Sequence, residues 1–277
     1  MACETFFVKT PDEINIHVTR HLHTPLNCIL FHGFGEGSFV WENFRRAISS
    51  ISSTIAIDLR GHGNSDWDTT CAYRTDVYTS DALFALSQIK APNKILVGHS
   101  LGGNVCIQLA KRMRHSLRAL ILVDCSPEID PESEVRILKD FHEDHRTYSS
   151  IEEYSDILRL KRPLLRRNIS LGIAHGALKK NESGLYSLKR DQELGNPEHW
   201  GTDNYRIWED LDKISCPVLL LRGSASAILS HDTGLNLAKQ FRNCAYKTIT
   251  MSGHSIMVDN PEEFNAEVIS FIVNNII

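Results

Sequence analysis

No stretch of this sequence stays apolar for long enough to cross a bilayer. Its longest such runs, residues 119–123 and 217–221, have the length of a strand, which excludes a membrane-spanning helix. The opening residues MACETFFVKT lack a basic segment followed by a long apolar one, so no secretory leader is expected. CxxC pairs are missing too. The seven cysteines (Cys3, Cys28, Cys71, Cys106, Cys125, Cys216 and Cys244) are scattered and odd in number, which argues for free thiols in a reducing, cytoplasmic setting. Nor does one sign of charge prevail: the formal net charge of −4 gives no reason to expect nucleic acid as a partner. The pair His21-x-His23 has no further ligand at useful spacing and reads as a solvated strand end, so neither metal nor cofactor is expected. Internal repeats and low-complexity tracts are also absent.

What remains is ordinary soluble material: 277 residues, 42% hydrophobic and 23% charged, enough for one large domain or one domain carrying an insert. ETFFVKT and INIHVTRHL read as a hairpin across Pro11-Asp12-Glu13. The runs CILF, TIAIDL, KILVG and RALILVD follow, with helical patterns over 39–50, 77–89 and 101–113 between them. Unbroken apolar strands separated by helices imply a parallel sheet buried on both faces. From about 127 to 208 the chain turns charged and helical, with no strand-like run. Strand and helix then resume with VLLLR, a helix over about 230–240, AYKTIT and a last helix over 261–275. The expected fold is α/β: a mostly parallel, doubly wound eight-stranded sheet built from 1–126 and 209–277, with 127–208 inserted as a helical cap.

The most informative stretch is KILVGHSLGGNV. Its pentad Gly98-His99-Ser100-Leu101-Gly102 follows an apolar strand and opens a helix. Such a turn forces the central residue into strained geometry, requires small neighbours, and lifts the serine hydroxyl above the sheet. Ser100 is therefore the candidate nucleophile. A tetrahedral oxyanion needs two backbone donors: the amide of Leu101, and one from the loop after the third strand, where LFHGFGEG places Phe34.

FHGFGEGSFVWENF, DLRGHGNSD, GHSLGG and SGHSIMVDNPEEF, in this order, resemble the α/β-hydrolase family over nearly the whole chain outside the insert. The resemblance implies that His254, between the last strand and the last helix, is the general base, a role that suits a side chain titrating near neutrality. It also implies that the 58–66 stretch forms a structured turn beside the site.

The family's usual acid position, in the loop after VLLLR, is held by Ala227. Ser224, Ser226 and Ser230 carry no charge to stabilise imidazolium, and Asp232 lies further into the next helix. Asp124, ending the strand after the nucleophile strand, is the candidate replacement, because neighbouring strands are about 4.8 Å apart. A minority of the family carries the acid there; the pattern resembles the hydrolase type that opens acetamidomethylene-succinate. The alternatives are a Ser–His dyad with Asp124 as a loop cap.

The implied protein is a cofactor-free serine hydrolase acting on a carboxylic ester, thioester or amide of a small to medium substrate. Carbon–carbon hydrolysis of a vinylogous diketone, and ligand binding with little turnover, are the other readings. Candidate substrate contacts are Trp41, Arg159, Arg162 and Met257. Phe34, Phe141, Tyr148, Trp200 and Trp208 are further aromatic candidates for a pocket wall. Nothing in the chain discloses an oligomeric state.

Overall fold

The computed structural model describes residues 3–113, 116–201 and 207–277. The core strands are β1 (Cys3–Lys9), β2 (Asn15–His21), β3 (Asn27–Phe31), β4 (Ser53–Ile57), β5 (Lys94–His99), β6 (Leu117–Val123), β9 (Val218–Gly223) and β10 (Cys244–Ile249). They form one eight-stranded sheet in the order β1-β2-β4-β3-β5-β6-β9-β10. Only the β1–β2 and β2–β4 pairings are antiparallel; the rest of the sheet runs parallel. The turn at Pro11-Asp12-Glu13 joins the first two strands as expected.

Helices cover both faces. α2 (Thr75–Gln88), α3 (Leu101–Arg112) and α7 (His231–Ala238) share one buried cluster with Ile29, Phe31, Leu96, Leu120 and Leu122. α1 (Glu42–Ile48), α8 (Ile256–Asp259) and α9 (Pro261–Asn275) share the other with Cys28, Leu30, Val97, Ile121 and Val123. Alternate residues of one strand thus feed opposite cores, so each central strand reads as an unbroken apolar run.

Between β6 and β9 the chain forms α4 (Pro131–Glu143), α5 (Ile151–Lys161), α6 (Arg167–Ala177) and a small hairpin of β7 (Leu178–Lys180) and β8 (Tyr186–Leu188). The hairpin corrects the expectation of a strand-free segment. Its three-residue strands carry mostly polar side chains and leave no apolar signature. Asp130 and Ser150 cap α4 and α5 by accepting from first-turn amides. Arg190 fastens this segment to the sheet: its guanidinium lies over the Phe141 ring and donates to the carbonyls of Phe141 (3.1 Å) and Gly35 (3.4 Å). Among the described residues no helix is long and apolar enough to cross a membrane, and all seven cysteines are free thiols.

The 58–66 turn is built on buried charge. Arg60 is 2% exposed and meets Asp81 (2.7 Å), Asp68 (2.6 Å) and Asp12 (2.7 Å). Removing Arg60 strands the buried Asp68 and Asp81 without compensation, while Asp12 stays exposed to water. Arg60→Ala is expected to cost about 3–5 kcal/mol, read from the shift in the urea unfolding midpoint.

Candidate active site

β5 ends at His99 and α3 begins at Leu101, so the chain reverses direction at Ser100 alone. Ser100 accordingly sits at φ 51°, ψ −117°, outside the regions an L residue prefers. Its amide donates to the Val123 carbonyl at 3.0 Å, tying the turn to β6. The turn closes because its neighbours lack side chains. A Cβ on Gly98 would collide with the Gly102 carbonyl and lie 2.7 Å from Cys106 Sγ; one on Gly102 would collide with the Phe31 carbonyl. The Leu101 amide opens α3, where the first N–H groups have no acceptor within the helix and carry its positive dipole end.

The turn after β3 is held from both sides. His32 Nε2 accepts from the Leu59 amide (3.0 Å), so its proton sits on Nδ1, which donates to the Gly33 carbonyl (2.8 Å). In a trans peptide the C=O and the next N–H point opposite ways, so this bond also fixes the direction of the Phe34 amide. The Gly33 amide donates to Glu36 Oε2 at 3.0 Å. Among the described residues the Phe34 amide meets no protein acceptor.

Asp124 is fully buried at the end of β6. Its φ of 47° turns the side chain toward the neighbouring strand end, and its amide donates to the Leu221 carbonyl at 2.8 Å. Oδ1 accepts from the Gly223 amide (2.9 Å), while Oδ2 accepts from Ser226 Oγ (2.5 Å) and faces His254 Nδ1 at 2.7 Å. A carboxylate only accepts, so Nδ1 donates and Nε2 is left as the basic nitrogen of the neutral ring. Burial, reinforced by nearby His99, holds the His254 pKa below its ordinary value against the opposing pull of Asp124. Ser226 therefore serves Asp124 and not the imidazole. Ser230 caps α7 through the Thr233 amide (3.0 Å), and Asp232 is exposed.

Ser100, Leu101 and His254 line a cavity of about 370 Å³ together with Phe34, Tyr73 and Trp200. A second cavity of about 480 Å³ shares Phe34, Arg162 and His254 with the first, and is walled on one side by Ala225, Ala227 and Ile228. Of the expected substrate contacts, Arg162 lines both cavities. Three others do not reach them. Trp41 and Met257 are 1% and 0% exposed, packed into the core beneath α1 and α9. Arg159 is on the exposed face of α5, 3.6 Å from Asp156. Tyr148 and Trp208 are likewise core residues, whereas Phe141 lines the second cavity.

The sequence reading missed Glu36. It follows the His32-Gly33 turn and meets His99 Nδ1 at 2.9 Å; the only signal was a carboxylate three residues past a turn glycine. Burial opposes its ionisation, yet His99, Arg162 and the Gly33 amide hold its pKa well below the usual carboxylate range. Among the described residues, Cys71, Glu193 and His199 are the one group of three or more whose possible metal-ligand atoms lie within 4.8 Å of one another. That group includes neither Ser100 nor His254.

Residues 29–261 match the model of the α/β-hydrolase fold. The chain is 25% identical over 248 residues to an esterase of Mycobacterium tuberculosis, covering 84% of this chain and 78% of that protein. It is 26% identical over 233 residues to the 2-(acetamidomethylene)succinate hydrolase of Mesorhizobium japonicum, covering 83% and 82%. The crystal structure of E-2-(acetamidomethylene)succinate hydrolase superposes with a TM-score of 0.87 at 22% identity, over 98% of this chain and 100% of that one. The sheet order, the turn at Ser100 and the match across most of the chain agree: this is a hydrolase that belongs to the α/β-hydrolase family.

Proposed function

We propose that the protein cleaves a carboxylic ester, thioester or amide of a small to medium substrate through an acyl-enzyme. Ser100 Oγ attacks the carbonyl carbon, and His254 Nε2 takes the hydroxyl proton. Asp124 holds the ring in the required tautomer and stabilises the imidazolium. The amides of Phe34 and Leu101 receive the oxyanion. His254 returns the proton to the leaving group, then activates the water that frees the acyl chain. Residues 127–208 act as a cap over the serine, and Arg162 is the substrate contact that survives from the sequence reading.

The observation that carries this reading is the 2.7 Å bond from His254 Nδ1 to Asp124 Oδ2, with His254 and Ser100 on one cavity wall. A fold that only binds ligand drew its support from the uncharged Ala227; a buried carboxylate already on the imidazole removes that support. The cavity volumes fall in the range of small-molecule sites.

A fluorophosphonate probe tests the reading. The protein is expected to be labelled covalently at Ser100 and to show a burst of product from p-nitrophenyl esters. An unlabelled, correctly folded protein overturns it. Product analysis on a vinylogous diketone separates carbon–carbon cleavage from acyl transfer.

A further inference from the structure

His99, the residue before the serine, is 1% exposed, and both its ring nitrogens are engaged. Nε2 lies 3.0 Å from the main-chain carbonyl of His254, and Nδ1 lies 2.9 Å from Glu36 Oε2. A carbonyl oxygen only accepts, so Nε2 carries a hydrogen. The second bond then needs a proton on either Nδ1 or Glu36. Every other group facing the carboxyl is a donor: the Gly33 amide at 3.0 Å, the Ser255 hydroxyl at 3.5 Å and the Arg162 guanidinium at 3.9 Å. Such surroundings favour the carboxylate, which places the proton on His99.

We propose that Glu36 and His99 form a buried ion pair, a positioning device that locks the His254 loop to the serine turn and presents positive charge to the His254 ring. The inference rests on the hydrolase reading for its catalytic consequence, but the charge state of His99 does not. One carboxylate fastens the turn carrying the Phe34 amide, through Gly33, and orients the imidazolium that grips the His254 backbone. Three segments far apart in sequence are thereby held in register.

The electrostatic consequence follows from the order of the charges. The His99 and His254 rings are 4.6 Å apart between centroids, and His99 acts on His254 more strongly than Glu36 does. The other titratable or charged groups around them are Asp124 from β6, Asp259 from α8, Arg162 at the end of α5, and His32. His32 is neutral, because its Nε2 accepts from Leu59. Asp124 and, more weakly, Glu36 favour a charged His254, and His99 opposes it by more than Glu36 favours it. The pair thus extends the neutral, proton-accepting form of His254 toward acid.

Glu36→Gln tests this by removing the negative charge at nearly unchanged shape. The Gly33 amide and His99 Nδ1 meet the same oxygen, Oε2, and with no negative charge there nothing offsets an imidazolium, which leaves the imidazole neutral. The acidic limb of kcat/KM is expected to move to higher pH by about 0.5–1 unit. In parallel, nitrogen-15 NMR of the Ser100→Ala protein, labelled at histidine, should show both His99 nitrogens protonated across the range where His254 titrates. With Glu36→Gln added, only one should be. A bare His99 nitrogen with Glu36 intact overturns the ion pair, whatever the enzyme does. Two protonated nitrogens with an unmoved acidic limb overturn the coupling to His254. Failure of fluorophosphonate labelling strikes the hydrolase reading alone, since the NMR result needs no turnover.

Discussion

Ser100→Ala is expected to lower kcat for p-nitrophenyl esters by on the order of 10⁶, as loss of the nucleophile does in serine hydrolases. Fluorophosphonate labelling should disappear with it. The fold should survive, because alanine asks nothing of the turn that serine does not. The φ of 51° is imposed by the passage from β5 to α3, and the Ser100 amide keeps its bond to Val123. An unchanged circular dichroism spectrum and unfolding midpoint should therefore accompany the lost rate. Activity within tenfold of the parent would mean that another group attacks the substrate.

Asp124→Asn should cost about 10⁴ in kcat, roughly 5.5 kcal/mol of barrier. The structure says how. The Gly223 amide donates to Oδ1, so that position must remain the carbonyl of an asparagine. Its NH₂ then replaces Oδ2 and points at His254 Nδ1, a nitrogen that can meet a donor only by giving up its own proton. The ring switches tautomer, and Nε2 becomes a donor unable to accept from Ser100. Steady-state rates beside the parent, with matched spectra, measure the effect. A variant almost as fast as its parent would reduce the site to a Ser100–His254 dyad and return Asp124 to capping the loop.

The sheet could be read from the chain because buried parallel strands are written as runs such as CILF, KILVG and VLLLR, each bounded by a turn. Ser100 and Asp124 were legible for a related reason, each standing one residue beyond a strand whose limits the apolar pattern marks, whereas His254 came from the family resemblance. Outside the sheet that marking fails. Trp41 and Met257 follow site loops in sequence, but the short helices holding them, a 3-10 turn over Ser38–Trp41 and α8, turn inward, and nothing in the periodicity of so short a helix decides the direction. Arg159 and Arg162 stand one turn apart at the end of α5, yet only Arg162 reaches the cavities. Which flank of a helix end faces a cavity depends on tertiary packing. The pairing of Glu36 could not be read, because its partner His99 lies 63 positions away and neither residue belongs to a periodic pattern.

If Asp124, just past β6, is the acid as proposed, the protein divides labour between two segments that other members of the fold combine in one. The residues after β9 have no proton-relay duty of their own beyond the Gly223 amide and Ser226 hydroxyl that steady Asp124. The side chains of Ala225 and Ala227 wall the second cavity, and that of Ile228 lines both. That wall can change in size or polarity while the acid–base pair stays as it is. On the proposed reading, selectivity is open to drift or engineering at positions 225 and 227 without a toll on turnover, a freedom that is closed to an enzyme whose acid sits in the same loop.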